Sequence, residues 1–194
     1  MGLTNNKGLV LKNILIFIIS AVIGFLFYWI VSMRIIDSLY YIDTDLKGFI
    51  LYFSHVLFFY LFFKVIFKMD IYFFEKIIVS VVYFILMFMM FFDRVYIGRR
   101  IININPFDFI NTMKDTGIIT IVLNCLVFSP FYTSIKWILN KLDAKKIFII
   151  FLVFSIGIEI VQYITMSGIF DVVDILLYVI GYFIGVKIYN YLFI

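Results

Sequence analysis

Six stretches of about 20 residues in this chain are almost wholly apolar, at Ile14 to Met33, Phe49 to Phe67, Ile77 to Phe92, Ile118 to Ile138, Ile147 to Met166 and Val172 to Tyr189. A helix rises 1.5 Å per residue, so about 20 such residues cross the hydrocarbon core of a bilayer. The runs are continuous rather than alternating, which disfavours a transmembrane β-barrel. With 65% hydrophobic and 14% charged residues across 194 positions, a water-soluble core is excluded as well. The fold class expected is all-α: a polytopic membrane helix bundle of about six transmembrane helices. The first run exceeds the length of a signal-peptide core and ends in WIVSMR rather than in small residues, so it is read as retained. The third run is short and can extend toward Ile97 through FFDRVYIG.

Orientation follows from lysine and arginine near the span ends. With the N-terminus inside, Lys7, Lys12, Lys64, Lys68, Lys76, Lys136, Lys141, Lys145, Lys146 and Lys187 fall on the cytoplasmic side. Arg34, Lys47, Arg94, Arg99, Arg100 and Lys114 fall outside. The excess favours both termini in. The net charge of +4 is explained by these interhelical positions facing anionic headgroups, and no nucleic-acid partner is read from it. Lys64, near the inner end of the second span, needs no more than snorkelling.

Charged and amide side chains inside lipid carry a cost of several kcal/mol when unpaired, so their positions are informative. In GIFDVVDILLYVIGYFIG, Asp171, Asp174 and Tyr178 fall on one face of the last helix at 100° per residue. Ser155, Glu159 and Gln162 share a face of the helix before it. The short link between the two helices makes them antiparallel neighbours, so the acidic faces can meet. Two readings stand side by side. Asp171 serves as an N-cap with Asp174 in the favourable first turn, and Glu159 pairs with Arg99 or Arg100; or these groups line a functional polar pocket. Asn124 lies a turn or two into the fourth span at the same end. In RRIININPFDFIN, Asn105 before Pro106 with Asp108 following suits the start of a short interfacial helix, Phe107 and Ile110 facing lipid or the bundle. The adjacent arginines suit carboxylate or phosphate.

The remaining chemistry is sparse. His55 is the single histidine, which rules out a histidine metal cluster and suits a bond to a neighbouring helix. Cys125 is the single cysteine and reads as packing. Gly181 and Gly185 form GxxxG, a close-packing signal. No Walker loop and no HExxH is present, and no cofactor or metal is expected.

Four of these features occur in an order that resembles the VanZ-like family of bacterial membrane proteins. They are NxxPF (Asn103 to Phe107) preceded by arginine, NxxxFxPF (Asn124 to Phe131), ExxQ (Glu159, Gln162), and GxxDxxD followed by a glycine-rich helix (Gly168, Asp171, Asp174, Gly181, Gly185). The resemblance covers roughly residues 77–194 as a four-helix membrane domain and leaves 1–76 as an additional N-terminal hairpin. Two positions depart from the family: Tyr132 replaces the glycine after PF, and Tyr178 replaces the asparagine four residues after the second aspartate. A tyrosine is bulkier and has no amide, which implies an altered ligand preference. The family's association with teicoplanin implies a multi-pass protein of the cell membrane linked to glycopeptide resistance. Its expected partners are membrane lipids and a lipid-linked wall precursor or an amphipathic glycopeptide. The ligand-binding residues expected are Arg100, Asn105, Asn124, Glu159, Gln162, Asp171, Asp174 and Tyr178. The resemblance supplies no enzyme class. A small-molecule-binding component of a transporter, or an intramembrane hydrolase or transferase using Glu159 or Asp174 as general base, remains open.

Overall fold

The structure, a computed structural model, describes residues 3–32, 45–92, 96–108 and 118–193. Six helical segments in it are long and apolar enough to cross a membrane: Gly8–Ser32, Leu46–Ile66, Phe73–Phe92, Ile118–Ile138, Ala144–Thr165 and Val172–Phe193. Together with their hydropathy they make the chain a multi-pass membrane protein. Met33, Arg34, Arg94, Ile110 and Lys114 lie outside the described residues. The chain divides into two compact units, Met1–Val82 and Tyr83–Ile194.

In the first unit, α1 (Leu3–Phe27) runs on through a π-helical turn (Tyr28–Ser32) and packs along α2 (Asp45–Ile66). Gly24 is where the two backbones approach: a Cβ there would stand 3.0 Å from the Val56 amide nitrogen. The chain leaves α2 with Lys68 in the left-handed region, φ 51°. It enters α3 (Phe73–Phe92) with the Tyr72 N–H donating to the Glu75 carboxylate at 2.8 Å, the backward half of a capping box. α3 thus begins four residues earlier than the apolar run Ile77 to Phe92 implies, because Glu75 and Lys76 are accommodated in its first turn. It does not continue to Ile97. Residues 96 and 97 are non-helical, and the Ile97 N–H donates to the Met166 carbonyl at 2.7 Å.

The second unit holds the rest of α3 and every later element. The fourth span is not one helix. α4 (Ile118–Val127) stops at a turn through Phe128, Ser129 and Pro130, and α5 (Phe131–Ile138) resumes after it. Proline removes a donor and crowds the preceding turn, and the carbonyls thereby freed need partners in lipid. Tyr83 Oη donates to the Val127 carbonyl at 2.9 Å, and Ser129 supplies the Leu126 carbonyl with both its N–H and its hydroxyl. α6 (Ala144–Thr165) starts on Asp143, whose carboxylate accepts the Lys146 N–H at 2.8 Å. It ends at Met166 in the left-handed conformation, φ 53°. A link of six residues leads to α7 (Val172–Phe193).

The core of this unit is aromatic. Phe91, Phe128, Phe131, Phe151, Tyr178 and Tyr182 pack with Met87, Ile147 and Ile158, all buried. α7 reaches it at close range: a Cβ on Gly181 would run into the Cys125 carbonyl oxygen, and one on Gly185 into that of Ser129. The GxxxG spacing therefore sets α7 directly against the backbone at the end of α4.

Candidate functional site

At the end of the second unit where α6 passes into α7, Phe170–Asp171 (β2) pairs in parallel with Ile102–Asn103 (β1). Two residues a side do not make a sheet of independent stability. They fix the 96–108 segment against the start of α7, with the Phe170 N–H donating to the Ile101 carbonyl at 3.0 Å. That register places Asn103 beside Asp171, and the Asn103 amide donates to both carboxylate oxygens at 3.3 Å. Asp171 also caps α7, accepting the Val173 N–H at 2.8 Å.

Glu159 lies beneath this layer, wholly buried on α6. One of its oxygens accepts the Asp171 N–H at 3.1 Å, and the other the Tyr178 hydroxyl at 2.9 Å. A buried carboxylate is tolerable when donors surround it, and these come from both the strand and the helix that follow the link. Glu159 thereby ties three successive features of the fold together. Tyr178 presents its ring to Phe91 and Phe128 while its hydroxyl turns to the acid. Asp174, in the first turn of α7 and half-buried, accepts the Asn124 amide of α4 at 2.7 Å. The helix dipole favours a carboxylate there.

The expected site residues thus fall into two groups. Asn124, Glu159, Asp171, Asp174 and Tyr178 are engaged by the bonds above, Asn124 with Asp174 and Glu159 with Asp171 and Tyr178, and Asn103 is added on Asp171. Gln162 is buried one turn from Glu159, but its amide donates to the Phe91 carbonyl at 3.0 Å and anchors α3. Gly168 fits against the same glutamine, its notional Cβ 3.0 Å from Oε1. Arg100 and Asn105 are exposed. The pairing of Glu159 with Arg99 or Arg100 is not formed, since neither arginine makes an ion pair among the described residues. Asn105 caps the 3-10 turn Pro106–Asp108, accepting the Phe107 N–H at 3.1 Å, as the Asn-Pro step implies, and that turn packs on α7. Among the described residues no group of three or more histidine, cysteine, aspartate or glutamate side chains is placed to hold a metal ion.

The order of these contacts, Asn103 to Asp171, Asn124 to Asp174, and Glu159 to the α7 start, follows the motif order in the sequence. The family model described as VanZ/LLP1 matches residues 77–193. The chain belongs to the VanZ-like family. No curated protein and no solved structure matches it. Tyr178 and Tyr132 are both used structurally: Tyr178 holds Glu159, and Tyr132 is buried with its ring against Tyr182 and Tyr189.

One polar contact of the first unit departs from what the sequence suggests. Lys64 does not snorkel. It is wholly buried, with Nζ 2.8 and 2.7 Å from the two Glu75 oxygens and its charge over the rings of Tyr60 and Tyr72. Tyr60 Oη also donates to Glu75, at 2.6 Å. The signal was present as a lysine and a glutamate on either side of one short turn. His55 bonds Ser32 on the neighbouring helical segment, as its place in an apolar run suggests. Asn103 was legible as part of NxxPF, but its partner depends on the strand register, which two-residue strands do not announce.

Proposed function

We propose that this VanZ-like protein acts in the cell membrane to lower susceptibility to teicoplanin-type glycopeptides, engaging a lipid-linked wall precursor or the amphipathic antibiotic at the Asp171–Asp174 end of the second unit. The observation that supports this reading is the presence of three carboxylates from α6 and the α7 start with two amides, from β1 and α4, at one end of an otherwise largely apolar unit. Burial of that much polarity carries a cost that plain helix packing does not require. Within the group the roles divide by exposure. Glu159 and Tyr178 are wholly buried and hold the frame, while Asp174 is half-buried and the neighbouring 96–108 segment carries Arg99, Arg100 and Asn105 at its surface.

Asp174 would accept the ammonium of an amino-sugar or a peptide terminus, and Arg100 would grip phosphate or carboxylate, the chemistry its planar fork suits. With both termini in the cytoplasm, this end faces the outer leaflet, where wall precursors and glycopeptides meet. The test uses Asp174→Asn and Arg100→Gln, each expressed at the wild-type level. Susceptibility to teicoplanin should return to that of cells without the protein, and binding of a lipid-linked precursor to the purified protein should weaken at least tenfold. Unchanged susceptibility and unchanged binding in both variants would overturn the reading.

A further inference from the structure

Outside the residues that carry the family match, α1 and α2 bring a serine hydroxyl against the chain's single histidine. His55 Nδ1 lies 2.6 Å from the Leu51 carbonyl oxygen. A carbonyl oxygen accepts only, so Nδ1 carries the hydrogen and Nε2 of the neutral ring keeps its lone pair. Ser32 Oγ is 2.9 Å from Nε2 and therefore donates its hydrogen to it. A hydroxyl, a base within hydrogen-bond reach, and a third group fixing the base's tautomer are the parts of an activated nucleophile.

The backbone around Ser32 is unusual in the same place. Ser32 is the last residue of the five-residue π-turn Tyr28–Ser32, a rare backbone form that is frequent at functional sites. The rings of Phe27 and Tyr28 lie 5.3 and 6.4 Å from the imidazole, centre to centre, and Trp29 and Ile30 are exposed on the same turn. Ser32 is thus held among apolar groups with a lipid-facing surface next to it.

We propose that Ser32 and His55 form a nucleophile and base pair that accepts an acyl group from an ester reaching it out of the lipid phase. This is an activity distinct from the one proposed for the second unit. Ser32 Oγ attacks the acyl carbon as its proton passes to His55 Nε2. The carbon–oxygen bond to the alcohol breaks, and that oxygen leaves with the proton from Nε2. Water, deprotonated by Nε2, then attacks the acyl-serine and releases the carboxylic acid, regenerating both side chains. No redox partner or metal enters the balance. The Leu51 carbonyl orients the ring but brings no full negative charge to the imidazolium, so slow turnover is expected and a covalent probe is the suitable readout.

The purified full chain in detergent micelles is treated with a biotinylated fluorophosphonate, which forms an Oγ–P bond as fluoride leaves. Peptide mapping should find the adduct on Ser32 in the folded protein and not after heat denaturation. Ser32→Ala should lose it, and His55→Ala should slow its formation about 10²-fold, the usual share of a general base. The wild-type adduct is read without any variant, so a substitution that fails to fold does not obscure the answer. Absence of an adduct on Ser32 in folded protein, or equal rates with and without His55, would overturn the proposal and leave the pair a polar pin between two helices.

Discussion

At the scale of single residues, the buried charges of this protein divide by how they are compensated. Among the described residues Glu159 accepts from a backbone N–H and a tyrosine hydroxyl, whereas Lys64 meets one carboxylate and two tyrosine rings. The two halves of the second pair are not equivalent. Glu75 keeps the Tyr60 hydroxyl, the Tyr72 N–H and 20% side-chain exposure if Lys64 is removed, while Lys64 loses its one full countercharge among the described residues if Glu75 is removed. Removing one partner of a buried pair costs about 3–5 kcal/mol, and joint replacement by apolar groups costs far less. Glu75→Leu is therefore expected to destabilise by about 3–5 kcal/mol and Lys64→Met by roughly 1–2, with the double variant milder than Glu75→Leu alone. Unfolding in mixed micelles measures all three, and equal effects of the single variants would contradict the asymmetry. Helical phase made the faces of Glu159 and Asp174 legible in the sequence. It did not reveal that Gln162, 300° on from Glu159 at 100° per residue, turns to a backbone carbonyl on α3.

At the scale of elements, hydropathy found all six spans and missed the break in the fourth. A window average cannot register Pro130, because proline inside an apolar run changes the path of the backbone and not the transfer free energy. The repair of that break, from Tyr83 and Ser129, requires knowing which helix lies alongside. The close approach of α7 was legible as GxxxG, and it gives a sharp contrast among glycines. At Gly181 and Gly185 a methyl group meets backbone oxygen, which has no rotamer by which to yield, so alanine forces the helices apart. Gly157 on α6 has nothing within 4 Å of its notional Cβ. Gly181→Ala and Gly185→Ala are each expected to cost about 2–3 kcal/mol. Gly157→Ala is expected to be neutral or to stabilise by up to about 1 kcal/mol through helix propensity. Thermal melts of the three variants in one detergent decide the point, and a Gly157→Ala destabilised as much as the other two would show that loss of glycine in general, not the backbone contact, sets the cost.

At the scale of the whole molecule, the orientation in the bilayer is what connects geometry to biology. The lysine and arginine balance that favours N-in and C-in includes Lys64, and the structure shows that charge neutralised by Glu75 within the first unit, so it orients the chain weakly. Of the other charges on which that balance rests, several lie in the α5–α6 turn, where Lys141, Lys145 and Lys146 are exposed around the Asp143 cap. That turn and the Asp171–Asp174 end lie at opposite ends of α6, a helix of 22 residues, so they must emerge on opposite faces of the membrane. In a Cys125→Ser background, cysteines placed at Lys141 and at Asn105 should therefore react with an impermeant maleimide in opposite patterns: Asn105→Cys in intact cells, and Lys141→Cys only after lysis. The reverse pattern would put the Asp171–Asp174 end in the cytosol, where a glycopeptide acting on external wall precursors has no access to it, and the proposed role would fail while the fold and the polar network stood unchanged.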